Sequence, residues 1–193
     1  LAAGGYPAAI FHLAMHGIAK AMLFLTAGSI MHATEDETDI RKMGGLRKRM
    51  PIATIAFSLG ALALAGIPPL SAFWSKDEIL LAVQQGLNPV FLVLFLAAIV
   101  LSALYMARAL RIVFFGPLRP ENEHTHDAPP SMSGPLLVLG VLTVVIGFIA
   151  LPLGSFDGFG FFLFFEHVHD FEFSALWGPV GIALALGGFG AGW

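Results

Sequence analysis

The sequence predicts an all-α fold, a polytopic bundle of transmembrane helices, and two observations carry that prediction. Of its 193 residues, 57% are hydrophobic and only 12% are charged, whereas a soluble domain typically carries about 25% charged residues. The apolar residues also fall in long blocks, close to the ~20 residues that a helix needs to cross ~30 Å of hydrocarbon. Because these blocks do not alternate between apolar and polar residues, they exclude the strands of an outer-membrane barrel.

Five apolar elements follow one another along the chain. We expect the first over residues 7–32 and the second, a composite interrupted by GIPPLS, over 51–85. The other three are expected over 89–115, over 133–153, and from 174 past the end of the sequence. Because the chain begins without Met and stops inside an apolar block, we expect it to be an internal fragment of a longer protein.

The positive charges predict how these helices are threaded. An up-and-down arrangement puts the connector at 33–50 and the loop at 116–132 on one side, which we call the basic side. By the positive-inside bias, this side faces the cytoplasm or its equivalent. The run at 41–49 is explained by this topology and by anionic headgroups, without nucleic acid. Eight of the ten Lys and Arg residues lie on or beside the basic side: Arg41, Lys42, Arg47, Lys48, Arg49, Arg108, Arg111 and Arg119.

The first element carries three ionisable residues at helical spacing. His12, His16 and Lys20 are four residues apart, so on a helix they form one slanted stripe with about 6 Å of rise between neighbours. A charge near the bilayer centre costs about 2.5–3.5 kcal/mol, so such residues normally line a protein interior or a wet path. The stripe predicts a proton path; the alternative is that Lys20 reaches the interface and the histidines only make interhelical hydrogen bonds.

The second element is broken at LALAGIPPLSAFWSKDEIL. Pro68 and Pro69 remove two backbone donors, and a helix broken at membrane depth is tolerated where it lines a cavity or is buried in protein. Lys76 follows within about two turns, so one interpretation places its ammonium in a wet break. The other is an ordinary boundary, with the first helix ending at Pro68 and SKDE capping the next in the headgroup region. The residues alone leave both open.

Other chemistry has little support. The chain contains no cysteine, which excludes thiolate metal sites and iron–sulfur ligation in this stretch. The HTH at 124–126 and HVH at 167–169 have alternate histidines, which in loops are usually only polar residues. No phosphate-binding motif follows a strand. We therefore expect no metal site, no cofactor in this chain and no nucleic-acid partner.

Three segments in this order resemble a known family: IFHLAMHGIAKAMLFLTAGSIMH, DIRKMGGLRKRMP and GALALAGIPPLSAFWSKDEIL. They are similar to the second half of the antiporter-like subunits of respiratory complex I. Related chains occur in multi-subunit Na+/H+ antiporters and membrane-bound hydrogenases. The patterns FHxxxHxxxK and FxSKDEIL are most similar to the L-type members. The resemblance is strong over about residues 8–85 and weaker through 115.

This resemblance implies a fold and a role for each site residue. Family members contain two inverted five-helix repeats, each with a broken helix that carries a buried ionisable residue. Lys20 would lie on the central hydrophilic axis, with His12 and His16 as relay partners. Lys76 would be the lysine of the broken helix and Asp77 its modulating neighbour. Residues 1–115 would form the second half-channel region and residues 116–193 the C-terminal helices and loops.

The implied function is proton translocation within an NADH:quinone oxidoreductase, in a bacterial-type inner membrane. Its partners would be other membrane subunits of a respiratory complex, the lipid bilayer and protons. Partner subunits would carry the FMN, the iron–sulfur clusters and the quinone. The alternatives are a subunit of a multi-subunit Na+/H+ antiporter or membrane-bound hydrogenase, and a purely structural membrane anchor.

Overall fold

The computed structural model describes residues 6–86, 89–150 and 174–193, and every regular element within them is a helix. The predicted all-α fold is therefore confirmed. Three helical segments are long and apolar enough to cross a membrane: Ala8–Ala33, Pro89–Phe115 and Pro130–Ile149. Among the described residues we number the α-helices α1 (Tyr6–Ala33), α2 (Pro51–Ala65), α3 (Ser71–Gly86), α4 (Pro89–Leu110), α5 (Pro130–Val145) and α6 (Trp177–Gly192).

The observed helix bounds follow the predicted apolar elements to within three residues at the starts of the fourth and fifth, the fifth beginning at Trp177 rather than at 174. Helix α4 continues through a π-helical turn, Arg111–Phe115, to the predicted end of the third element. The fourth element begins at Pro130 rather than at 133, because proline in the first helical turn lacks only a donor that has no partner there. It continues beyond α5 as a 3₁₀ turn, Ile146–Ala150, and its expected end at 153 lies outside the described residues.

The composite second element is two helices joined by a short non-helical break. Helix α2 ends where Gly66 adopts a left-handed conformation (φ 86°), a common way to terminate a helix. Pro68 and Pro69 follow, and α3 begins only at Ser71. Helix α2 has 15 residues, so the break lies about 22 Å along its axis from the start of α2, less than the ~30 Å of a hydrocarbon core.

Packing arranges these helices around α1, which contacts α2, α3 and α5, while α4 pairs closely with α6. Small residues make the α4–α6 approach possible. A Cβ built on Gly188 would lie 2.5 Å from the Val100 carbonyl oxygen and 3.1 Å from the Ala103 Cβ. Ala185, one turn earlier in α6, is fully buried. Small residues one turn apart are a common way for membrane helices to pack with close backbones.

The connector after α1 and the loop after α4 lie together at one end of the bundle. Asn122 donates a side-chain hydrogen bond of 3.3 Å to the Lys42 carbonyl, and Ile30, Leu46 and Phe114 share one buried apolar cluster. The predicted threading, with both polar segments on the same side, is therefore confirmed. The same up-and-down threading predicts the 86–90 turn and the 154–173 loop on the opposite side; residues 87–88 and 154–173 lie outside the described residues.

Candidate functional site

The histidine stripe of α1 reaches α3 just after the break. His12 Nδ1 and the Ser75 hydroxyl lie 2.8 Å apart and form a hydrogen bond between residues 63 positions apart in sequence. The rings of His12 and His16 have centroids separated by 5.7 Å, as expected one turn apart on a helix. The two histidines and Ser75 therefore form a polar line between α1 and the start of α3.

Lys20 lies farther along the same stripe, near the middle of α1. It is half-buried, and it is about 20 Å of rise from the basic end of the helix at Ala33. His12 is about 12 Å of rise from Lys20, in the direction away from the basic side. Within the described residues Lys20 makes no hydrogen bond or ion pair, so no polar contact joins it to the break.

The ammonium of Lys76 lies at the break and donates a hydrogen bond to a backbone carbonyl that the break leaves without its helical partner. Its Nζ lies 2.5 Å from the backbone oxygen of Leu64, the penultimate residue of α2. In a continuous helix that oxygen would accept the N–H of residue 68, which is a proline and has none. Sequence reasoning missed this partner, although the position of Pro68 four residues after Leu64 predicts the free carbonyl.

Gly66 makes room for this arrangement. A Cβ built on Gly66 would lie 2.9 Å from Lys76 Cδ and 3.3 Å from its Nζ, so a larger residue would push against the lysine. The positive φ of 86° independently favours glycine.

The alternative in which SKDE caps a helix start is wrong, because α3 begins at Ser71 and Ser75 is its fifth residue.

Asp77 faces a different neighbour from Lys76. It is 2% exposed, and its Oδ2 accepts the backbone N–H of Ser174 at 2.9 Å. The Ser174 hydroxyl accepts the N–H of Trp177 at 3.0 Å, so Asp77 holds the segment that begins α6. Lys76 and Asp77 do not form an ion pair, as expected for adjacent residues on a helix.

A small cavity lies between the break and the start of α6. Its volume is about 10 Å³, the order of one water molecule. Gly66, Lys76 and Asp77 supply its polar lining, with apolar walls from Leu80 and Ile99. Asp77 Oδ1 is buried and has no hydrogen-bond partner among the described residues.

The sequence predicts no metal site at its alternate histidines. Within the described ranges 6–86, 89–150 and 174–193, no group of three or more His, Asp or Glu side chains is arranged to hold a metal ion. The histidines at 124 and 126 fall in this region. The HVH at 167–169 lies outside the described residues.

Comparison with known families decides the relationship that the motifs suggest. Residues 1–102, more than half of the chain, match the family described as NADH:quinone oxidoreductase/Mrp antiporter, transmembrane. The chain belongs to this family. The match covers α1, the break and α3, which carry all five predicted site residues: His12, His16, Lys20, Lys76 and Asp77.

Curated relatives of this antiporter-family chain extend the similarity. It is 40% identical over 188 residues to NAD(P)H-quinone oxidoreductase chain 5 of Picosynechococcus sp., covering 82% of this chain and 28% of the relative. It is 46% identical over 149 residues to NADH-quinone oxidoreductase subunit L of Campylobacter jejuni, covering 75% and 24% respectively. The chain thus spans about a quarter of the length of these relatives.

A solved structure supports the antiporter-like fold. The Mrp complex from Dietzia sp. contains a chain that matches with a TM-score of 0.67 at 22% sequence identity. The match covers 96% of this chain and 37% of that one, so it extends beyond the residues that carry the quoted motifs. The chain is therefore an integral membrane protein of the antiporter-like fold.

Proposed function

We propose that the chain carries part of the proton path of an L-type subunit of NADH:quinone oxidoreductase, in a bacterial-type inner membrane. The observation that carries this proposal is the polar line from the α1 histidines to Ser75, which precedes the lysine at the helix break in sequence. The names of the curated relatives support the choice of complex. The chain spans about a quarter of their length, so further helices of the full subunit would complete the path.

The proposed path runs from Lys20 along the histidine stripe to Ser75 and then to Lys76. Histidine titrates near neutral pH and has two ring nitrogens, so it can accept a proton on one and release one from the other. The Ser75 hydroxyl also donates to the Ala72 carbonyl at 3.2 Å. By turning this hydroxyl between Ala72 and His12, Ser75 both accepts from and donates to the ring, as a relay requires.

Lys76 is the proposed terminal carrier because its surroundings do not fix its charge. Its partner among the described residues is the dipole of a carbonyl, not a carboxylate, so the charged form is supported only weakly. Movement of a charge in the neighbouring part of the complex would then shift its protonation. In this proposal Asp77, the next residue, is buried with one carboxylate oxygen lacking a described partner, and it modulates that shift. Residues 116–193 are C-terminal helices and loops rather than part of the path.

The redox chemistry belongs, in this proposal, to other subunits. Partner subunits would hold the FMN, the iron–sulfur clusters and the quinone, and this chain would supply only ionisable groups and a shaped interior. Quinone reduction would drive the charge movement through contacts between membrane subunits. These partners follow from the type of complex named for the relatives.

Replacement of Lys76 tests the proposal. Inside-out vesicles that carry the full complex should lose NADH-driven acidification in Lys76→Ala, while native gels show normal assembly. Lys76→Arg, which keeps a cation at the break, should retain part of the signal. Lys48→Ala removes an exposed cation of the connector, outside the membrane-crossing helices, and serves as the matched control. Acidification at the wild-type level in Lys76→Ala, normalised to NADH oxidation, would refute the path.

A second candidate is an Na+/H+ antiporter subunit with the same fold. The family description, which includes the Mrp antiporter, favours it, and the Mrp neighbour at 22% identity supports the shared fold. Copurification separates the two candidates. Complex I predicts flavin and iron–sulfur subunits in the purified assembly and proton movement that depends on NADH. An antiporter predicts neither, and its proton movement follows a sodium gradient.

A structural anchor is the third candidate, and water access distinguishes it from both transporters. Single cysteines at positions 12, 16, 20 and 76 can be introduced cleanly in this stretch, which has no native cysteine. A proton path predicts labelling by a small water-soluble thiol reagent at these positions. An anchor predicts that they stay unlabelled while a cysteine at exposed position 48 reacts.

A further inference from the structure

The basic side carries a second cavity that the proposed proton path does not use. Its volume is about 590 Å³, within the range of small-molecule sites. Three consecutive cations, Arg47, Lys48 and Arg49, line one wall. Phe115 and Leu118, which are 37% and 40% exposed, contribute to the apolar wall. The cavity is therefore amphipathic, with positive charge and apolar surface facing one space.

The cationic wall is held in place by its neighbours. Leu46 and Met50 are both completely buried in the core cluster at this end of the bundle, on either side of the three cations. Burial of these two anchors leaves residues 47–49 exposed. Gly45 has a φ of 67°, and a Cβ there would lie 2.5 Å from the backbone of Leu118. The connector therefore packs directly on the loop that forms the opposite wall.

The cations of this wall differ from the other two cations of the connector. Lys42 pairs with Glu37 at 2.9 Å, and Arg41 pairs with Asp39 at 3.1 Å. Hydrogen bonds from the Asp39 amide and from Lys42 lower the pKa of Glu37, so this carboxylate is ionised at neutral pH. Within the described part of the chain, the three cations of the wall have no acidic partner within 4 Å.

An aromatic ring orients one of them. The Arg47 guanidinium carbon lies 5.1 Å from the centroid of Phe115, the last residue of a membrane-spanning segment. A guanidinium over a ring keeps its N–H groups free at the edge, where they can bind two oxygens of one phosphate. Arginine is preferred over lysine for such a site because its donors form a planar fork.

We propose that this cavity binds the headgroup of an anionic phospholipid of the basic-side leaflet. The phosphodiester would lie against Arg47 and Arg49, and the glycerol end would lie on Phe115 and Leu118. A lipid is favoured over a soluble anion because the apolar wall adjoins the end of a membrane span. It is favoured over an acidic protein surface because the cations line one wall of a concave space rather than a flat patch.

Charge alone does not account for this arrangement. Setting the topology requires only that cations lie on the basic side, and any lysine or arginine of the connector serves equally. A headgroup site requires the particular cations that line the cavity. The paired cations Arg41 and Lys42 therefore provide a matched control, since their removal changes the charge of the same connector by the same amount.

Lipid retention measures the proposal directly. The full chain in its native assembly is reconstituted in nanodiscs of phosphatidylglycerol and phosphatidylcholine, and the lipids that survive delipidation are identified by native mass spectrometry. We expect the wild type to retain phosphatidylglycerol selectively. The double variant Arg47→Gln/Arg49→Gln should weaken retention about 30-fold, the effect of two cations near a membrane surface. Arg41→Gln/Lys42→Gln should leave it within about threefold.

Four results would overturn the proposal. Equal retention of the two lipids by the wild type excludes an anionic site, and equal losses in the two double variants reduce the effect to net charge. Displacement of phosphatidylglycerol by millimolar inorganic phosphate assigns the cavity to a free anion. Loss of a copurifying subunit from Arg47→Gln/Arg49→Gln, with lipid retention unchanged, assigns it to a protein contact. All four readouts are independent of proton transport, so they test the lipid site separately from the proposed proton path.

Discussion

Asp127 caps the N-terminus of α2 from a position 75 residues later in sequence than Ile52. Replacement of this carboxylate should therefore lower the stability of that end of α2. The Oδ2 of this carboxylate accepts the Ile52 N–H at 2.6 Å and its Oδ1 accepts the Ala53 N–H at 3.4 Å. These are the first free donors of α2, because Pro51 at the helix start has no N–H. The loop after α4 therefore supplies the N-terminal cap that the residue before Pro51 does not.

The size of the effect follows from two contributions. Loss of a side-chain cap costs about 1 kcal/mol, and loss of a negative charge at a helix N-terminus costs about 0.3–1 kcal/mol. For Asp127→Ala both are lost, which gives about 2 kcal/mol at the half-buried site. Asp127→Asn keeps one acceptor oxygen for the Ile52 N–H but loses the charge and the longer bond to Ala53, because an amide nitrogen cannot accept, so we expect about 1 kcal/mol.

Hydrogen exchange of the full chain in nanodiscs measures this locally. The free energy of opening at residues 52–54 should fall by about 2 kcal/mol in Asp127→Ala, which makes exchange there about 30-fold faster. Asp127→Asn should accelerate it only about fivefold. Glu121→Ala is the matched control, because Glu121 is an exposed carboxylate in the same loop. Unchanged exchange in Asp127→Ala, or equal acceleration in the Ala and Asn variants, would refute the capping argument.

Three further substitutions test the break and the helix packing. Gly66→Ala should lower the free energy of unfolding by about 1–2 kcal/mol, because alanine at φ 86° is strained and its Cβ contacts Lys76. Thermal unfolding measures this loss, and Gly28→Ala, which has open space around its Cβ, should not destabilise the protein. Ser75→Ala should slow proton transfer about tenfold, because it removes the hydrogen bond to His12. Ser75→Thr keeps the hydroxyl and should retain the rate, and neither variant should change the melting temperature by more than a few degrees. Gly188→Leu should destabilise by about 1–3 kcal/mol through its clash with α4, and Gly187→Leu, whose Cβ meets nothing within 4 Å, is its control in the same unfolding assay.

The sequence was sufficient to predict the elements and the break, because both depend on local composition. Long apolar blocks fix where membrane helices lie, and consecutive prolines end a helix wherever it is. The periodicity of His12, His16 and Lys20 placed them on one face without any knowledge of the fold. Even the free carbonyl of Leu64 was predictable in principle, since it depends only on Pro68 four residues later.

The partners of these residues could not be predicted, because they depend on how the helices pack. Ser75 meets His12 across 63 residues, and Asp127 meets Ile52 across 75. Serine and aspartate occur in many polar positions, so neither residue type signals a distant partner on its own. Asp77 likewise accepts the N–H of Ser174, 97 positions later in sequence.

The break places the donor and the acceptor of the Lys76 hydrogen bond on two helices that are held by different polar contacts. Helix α2, which carries Leu64, is fastened to the basic side by Asp127, whereas α3 is fastened to the start of α6 by Asp77. A slide of about 1 Å between them lengthens the 2.5 Å contact to the limit of a hydrogen bond. The length of that hydrogen bond therefore reports the displacement of α2 relative to α3. The stretching frequency of an isotope-labelled Leu64 carbonyl, measured by infrared spectroscopy, follows this length.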